Sequence, residues 1–335
     1  NKSKENSIND CRKNKFKFSW KKYTPPKPKF NGIKTMYDIP INEIMEYVDW
    51  KPFFQSWELH GNFPNILSDK IVGKAATDLW NDAKKMIKYF NDEKTIQPSA
   101  VIGFWPVNSD GDDLMVFKNN SRKEILTKFH FLRQQVNRKK SERPNFCLSD
   151  FIAPLSSEKE DFLGAFAVTA GKGIEKLSKD FEKEKDDYNS ILVKSLGDRI
   201  AEALAEMLHL KVRKKFWAYS KSEKLSNEQL IKENFIGIRP APGYPACPDH
   251  SEKMTLFKLL EVENNLKISL TESFAMTPAS SVSGFYFSHP ESSYFGVGKI
   301  NKDQVKDYAS RKGISIEIAE KWLGPNLSYS PKKAA

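Results

Sequence analysis

The chain has 335 residues, 39% of them apolar, and a formal charge of +11, enough apolar material to fill one large domain or two ordinary ones, which excludes a disordered tail. No stretch reaches the ~20 consecutive apolar residues of a membrane span and residues 1–5 lead into no signal-peptide run, so the expectation is a cytoplasmic protein with no membrane partner. Ten Lys or Arg against two acids fall within residues 1–30 and leave the body close to neutral, which argues against a nucleic-acid-binding surface.

In chain order, residues 1–22 read as a solvated basic linker that ends where Pro25-Pro26-Lys27-Pro28 forces extended backbone. A chain that opens on Asn1 is expected to be part of a longer polypeptide. Ile71, Ala75, Leu79 and Met86 recur at near-helical spacing and predict a helix over 69–89. Short apolar runs at 101–106 and 114–117, separated by Asn108-Ser109-Asp110-Gly111-Asp112, predict a β-hairpin, because Asp-Gly tolerates the positive φ of a tight turn. Residues 161–184 and 187–219 read as two long helices, the second with Ile200, Leu204, Met207, Leu208 and Val212 on one stripe. Ser226 three residues before Gln229 is a capping box for a short helix, and Asp249 with Glu252 starts another in the same manner, through about 262. Phe285-Tyr286-Phe287 and residues 294–300, joined by His289-Pro290-Glu291-Ser292, predict a second hairpin; helices near 302–311 and 314–323 close the chain. Helices interspersed with hairpins indicate an α+β fold with an antiparallel sheet.

Cys11, Cys147 and Cys247 are odd in number and widely spaced, so neither a disulfide framework nor a cysteine-based metal site is expected. Cys247 and His250 stand three apart, but no second pair follows to complete a ligand set, and the metal expectation is none. The densest chemical signal is the segment Arg239-Pro240-Ala241-Pro242-Gly243-Tyr244-Pro245-Ala246-Cys247-Pro248-Asp249-His250. Its prolines fix φ and remove backbone donors, so it is a rigid loop. Gly243 permits close backbone approach and Arg239 offers a planar fork suited to a carboxylate, although a plain proline-rich connector would read the same way. The run 272–284 combines small residues with a proline stop, consistent with tightly packed backbone; Tyr294-Phe295 could flank an adenine or a sulfonium, or fill the core. Asp49, amid Trp50, Phe53 and Phe54, suits an ammonium group or caps a helix.

These residues carry a resemblance. The Arg239–His250 loop, residues 271–284 with 294–300, Asp303-Gln304-Val305-Lys306-Asp307-Tyr308-Ala309 and Trp322-Leu323-Gly324-Pro325 resemble the activation domain of cobalamin-dependent methionine synthase. So do residues 49–54, Gly164-Ala165-Phe166-Ala167-Val168-Thr169 and Asp198-Arg199-Ile200-Ala201-Glu202-Ala203, in the family's order from about 30 to 328. The resemblance implies a single C-shaped domain over 23–330 with a twisted antiparallel sheet and flanking helices, a linker from a cobalamin-binding domain over 1–22, and a tail over 331–335. It implies that Arg239 holds the carboxylate of S-adenosylmethionine and Asp49 its amino group. Ala241, Gly243 and Tyr244 would line the adenosyl and methyl-donor side, Tyr294 and Phe295 would complete the pocket, and Glu202 with Tyr244 would face the corrin and act in catalysis.

The implied activity is reductive methylation of cob(II)alamin, with an electron from flavodoxin or an FMN-containing reductase. Acidic carriers of that kind would be steered by basic surface, for which Arg138-Lys139-Lys140 and Lys211-Val212-Arg213-Lys214-Lys215 are candidates, unless the latter is a solvated helix end. Homocysteine, folate and cobalamin motifs do not occur in these residues, so the chain is not expected to be catalytically complete alone. The alternative is a regulatory module that captures S-adenosylmethionine without methyl transfer.

Overall fold

The computed structural model describes residues 6–138 and 142–331. Along the chain lie α1 (Ile8–Lys13), β1 (Gly32–Met36), α2 (Ile41–Met45), α3 (Lys51–Gln55), α4 (Gly73–Asp92), β2 (Ser99–Asp110), β3 (Asp113–Phe117), β4 (Ile125–His130), β5 (Asp161–Thr169), α5 (Gly173–Lys183), α6 (Asp187–Lys211) and α7 (Asn227–Ile231). They are followed by α8 (Glu252–Leu260), α9 (Val262–Leu266), a short ladder of β6 (Ser269–Leu270) with β7 (Met276–Thr277), then β8 (Ser281–Tyr286), α10 (Lys302–Lys312) and α11 (Ile316–Trp322). The class is α+β with an antiparallel sheet, as the sequence predicts. No helix among the described residues is long and apolar enough to cross a membrane.

Strand β2 organises the sheet. One edge pairs with β1 through Ala100–Phe104 and with β3 through Val107–Asp110, while the other pairs with β5 from Ser99 to Val107. Strand β4 lies beyond β3 and β8 beyond β5. The even-numbered Ala100, Ile102 and Phe104 join Phe166 and Val168 of β5 in a core closed by α2 to α6, whereas Val101, Val107, Leu163, Ala165 and Ala167 pack on the opposite side against α8, α9 and residues 146–152. A third, smaller cluster lies between α10 and α11.

This two-sided burial corrects one expectation. Residues 161–184 are a strand followed by a helix, not one helix: every residue of β5 is buried, so the polar alternation that marks a half-exposed strand is missing and its alanines resemble helix material. The first hairpin forms where predicted, but β2 runs on through Asn108 and Ser109. Both are buried strand residues, satisfied by carbonyls of Ile152, Ala153 and Lys159. The second hairpin does not form. Residues 294–300 are irregular, and β8 pairs with β5 instead. Helix α6 passes into a π-turn at Val212–Phe216 and stops short of 219. The capping box at Ser226 is present, but Asp249 binds the Ser251 amide and hydroxyl, Tyr308 and Lys312, and Ser251 is the N-cap of α8.

The solvated-linker expectation is also corrected, from residue 6 onward. Ile8 and Cys11 are buried, the Ile8 amide donates to Asp303 at 2.7 Å, and Arg12 pairs with Asp112 at 2.8 Å and Asp307 at 2.6 Å. Phe18, Trp20 and Tyr23 then surround the His289 ring at 4.3, 5.2 and 5.6 Å. A charge count sees the lysines and arginines but not the apolar residues spaced between them. Residues 332–335, most of the expected tail, lie outside the described residues.

One buried carboxyl gives a pH signature. Asp161 accepts the amides of Ala153 and Phe162 at 2.8 Å each. Burial pushes its pKa from 3.8 up to about 7, against the opposing pull of those amides and Arg122. The folded value exceeds the unfolded one, so this contribution to stability is full below about pH 4 and is lost as pH rises through about 7. Asp161→Asn, which cannot ionise, is expected to flatten that part of the decline. Urea unfolding near pH 5 and near pH 8 checks it; parallel pH profiles for variant and parent would contradict it.

Candidate functional site

The proline-rich loop is rigid for a visible reason. Beyond Tyr286 the edge of the sheet continues as Phe287, which exchanges two 3.0 Å hydrogen bonds with Ile238, and the Phe285 amide donates to Pro240 O at 2.9 Å. Residues 238–240 therefore lie as an added edge segment, where prolines lacking an amide are tolerated. Gly284 makes this approach possible: a Cβ there would stand 2.7 Å from Pro240 O and 3.3 Å from Ala241 Cβ. Gly284→Ala is expected to displace the loop and destabilise the fold by about 1–3 kcal/mol, read by urea denaturation; an unchanged midpoint would show that the contact relaxes without cost. After Ala241 the chain turns back on itself, with Gly243 at φ +95° donating to Cys247 O at 2.7 Å and Cys247 donating to Tyr244 O at 2.9 Å.

In front of this loop opens a cavity of about 520 Å³, within the size range of small-molecule sites. Arg239, Ala241, Tyr244, Tyr294 and Phe295 line it, together with Glu202 from α6. A recess of about 160 Å³ shares Glu202 and Arg239 with the cavity and adds Asp49. The structure thus brings Asp49 and Arg239 to one recess, although 190 residues separate them in the sequence. Gly243 does not join them: it stands against the His250 ring, where a Cβ would come within 2.3 Å, and it shapes the turn instead of lining the cavity.

Arg239 is held from several sides. Its Nη2 pairs with Glu206 Oε2 at 2.6 Å, its Nη1 donates to His209 Nδ1 at 3.2 Å, and its backbone amide donates to the Tyr294 hydroxyl at 3.0 Å. Burial works against its charge, but the neighbouring Glu206 carboxylate outweighs it and the guanidinium pKa is raised. His209 is fully buried, and burial with the fields of Arg213 and Arg239 drives its pKa far down. The ring is therefore neutral and accepts at Nδ1. Glu202 is pushed up by burial and pulled back by Arg199 and Arg239. Burial also raises Tyr244, as does Glu202; the Tyr244 ring is 56% exposed, so it forms a rim and not a floor. Asp49 Oδ1 accepts the Lys51 amide at 3.0 Å just ahead of α3, but the N-cap of that helix is Trp50 and no side chain caps it, so the helix-cap reading is corrected while the place of Asp49 in the recess stands.

Sequence reasoning missed Glu206, His209 and Glu233. With Glu202, the first two fall at intervals of four and three on α6, a polar stripe beside the apolar one, and that spacing was the available signal. Glu233 follows α7 and lines both cavities. Of the basic segments, Lys139 and Lys140 lie outside the described residues. Arg213 is fully buried, paired with Glu223 at 2.8 Å and 4.1 Å from the Phe235 ring centroid. Of that segment only Lys214 and Lys215 are exposed.

A cavity lined by Arg239, Glu202, Glu233 and aromatic side chains, with Asp49 and Arg199 in the adjoining recess, can hold a zwitterionic amino-acid group joined to a flat ring. The sequence model of the family described as "Vitamin B12 dependent methionine synthase, activation domain" matches residues 40–313. The chain is also similar to a solved structure described as the MetH reactivation domain bound to AdoHcy. The two are 48% identical with a TM-score of 0.95, over 98% of this chain and 100% of that one.

Proposed function

Because this chain belongs to the family of vitamin B12 dependent methionine synthase activation domains, we propose that it binds S-adenosylmethionine in the 520 Å³ cavity and supports reductive methylation of a cobalamin presented by another domain. The observation that carries this reading is that Arg239 and Asp49 line one recess. Arg239 takes the ligand carboxylate through the guanidinium donors that Glu206 and His209 leave free, and Asp49 takes the amino group. Ala241 and Phe295 flank the adenosyl side. Tyr294 holds the Arg239 backbone in place through its hydroxyl. A solved relative that carries S-adenosylhomocysteine, the demethylated form of the same ligand, supports this choice.

Cobalamin, when docked, supplies the reducible cobalt that accepts the methyl group. Tyr244 on the rim and Glu202 on the wall are the side chains of this set that face an incoming domain. The electron comes from flavodoxin or an FMN-containing reductase, both acidic surfaces, and exposed Lys214 and Lys215 favour their approach. The free thiols of Cys11, Cys147 and Cys247 suit a cytoplasmic setting. Residues 23–330 form the body of the activation domain, and residues 6–22, packed against it, lead back toward the cobalamin-binding domain.

Titration calorimetry with S-adenosylhomocysteine tests the binding half of this reading, with one site per chain expected. Adding the cobalamin-binding fragment, S-adenosylmethionine and a reduced flavoprotein tests the rest. Formation of methylcobalamin is expected, whereas binding without methyl transfer would leave the chain a regulatory module.

A further inference from the structure

Helix α6 presents Glu206 and His209 one turn apart to the same guanidinium. Both are buried, Glu206 at 7% and His209 at 0% exposure. The His209 ring stacks on Tyr286 at 5.1 Å, Tyr286 stacks on Phe166 at 4.7 Å, and Phe166 lines the cavity. Phe235 closes the group, edge-on to His209 at 4.8 Å and 5.8 Å from the Arg239 guanidinium. The guanidinium is thus fixed from behind by an anionic acceptor, a neutral acceptor and a ring, while its remaining donors stay available.

We propose that Glu206 and His209 are positioning residues for ligand binding: they set the Arg239 fork in the orientation that receives the carboxylate of S-adenosylmethionine. The inference rests on the assignment of Arg239 to that carboxylate made above. An arginine side chain free to rotate loses conformational freedom when a ligand captures it, and a fork held in advance loses little. A bidentate contact is also sensitive to angle, so orientation matters beyond charge.

The alternative has the opposite sign. If Glu206 merely neutralised Arg239, removing it would strengthen the pull on an anionic group and tighten binding. The direction of the effect therefore separates positioning from competition. A purely structural role would weaken all ligands alike, so a ligand without the amino-acid end separates that possibility too.

The test is calorimetric titration of the full chain and of Glu206→Ala, Glu206→Gln, His209→Phe and Arg239→Ala with S-adenosylhomocysteine and with 5′-methylthioadenosine, which keeps the nucleoside and thioether but has no carboxylate. Glu206→Ala is expected to weaken S-adenosylhomocysteine about tenfold, the order of one charge-assisted hydrogen bond. Glu206→Gln, which keeps an acceptor of the same size, is expected to restore most of the loss. His209→Phe keeps a ring on Tyr286 but removes the acceptor, and a loss of about threefold or more is expected; it carries the test if Glu206→Ala does not fold. Methylthioadenosine binding is expected to be unchanged throughout. Unchanged or tighter S-adenosylhomocysteine binding in both Glu206→Ala and His209→Phe would overturn the proposal, as would an equal loss for the two ligands. Unchanged binding in Arg239→Ala would instead remove the assignment beneath it, and the proposal with it.

Discussion

Replacing Arg239 with alanine is expected to weaken S-adenosylmethionine binding by about 2 kcal/mol or more, roughly thirtyfold, because a charge-assisted contact to a carboxylate is lost in a largely desolvated place. The loss has a second part. Glu206, paired with Arg239 at 2.6 Å and mostly buried, would be left without its cation. Arg239→Lys is expected to recover only a fraction, because a single ammonium cannot serve Glu206, His209 and a ligand carboxylate in one plane. Asp49→Asn is expected to cost less than Arg239→Ala, since Asn keeps an acceptor for the Lys51 amide and a polar contact to an amino group. Titration calorimetry of the three variants orders these effects; an Asp49→Asn loss larger than that of Arg239→Ala would reverse the assigned weights.

The largest effect on stability is expected at Arg133. It is 1% exposed, and its guanidinium donates to Asp112 at 2.6 and 2.9 Å, to Asp150 at 2.7 and 2.8 Å, and to Asn145 O at 2.7 Å. Asp150 also accepts the Cys147 amide at 3.0 Å, which fixes the turn Leu148–Phe151 beneath the sheet. Arg12 reaches the same Asp112 from α1, so this cluster ties the N-terminal segment to the body. Arg133→Met keeps much of the side-chain volume but leaves two carboxylates buried together, and a loss of about 3–5 kcal/mol is expected by urea denaturation near neutral pH. Burial already raises Asp150 despite the arginine. Without the arginine its folded pKa rises further, so the deficit is expected to shrink as pH falls and the carboxyls take up protons. A loss that does not depend on pH would point to packing and not charge.

How much of this was legible depends on what each signal measures. The proline-braced loop could be read directly, because proline and glycine constrain the backbone wherever they stand, and Arg239 with its neighbours did prove to line a cavity. Strand β5 could not be read, because burial on both faces erases alternation. The N-terminal segment misled for the opposite reason: its lysines dominate a count, while Ile8, Cys11 and the aromatic residues that anchor it are few. That Asp49 and Arg239 share a recess is a product of topology, since the turn before α3 and the segment beside β8 meet only once α6 packs between the sheet and helices α2–α4. Resemblance to a family implied this meeting; local physics did not. Gly243 shows the limit of such implication, because its place in the loop is a steric one against His250.

The central claim is that the Arg239 guanidinium grips the amino-acid end of an adenosyl sulfonium. A crystal structure of the chain soaked with S-adenosylmethionine tests it most directly. The account predicts the ligand in the cavity before residues 239–244, its carboxylate about 3 Å from the Arg239 nitrogens and its amino group at Asp49. A nucleotide seated elsewhere, with Arg239 bound only to Glu206 and His209, would contradict it.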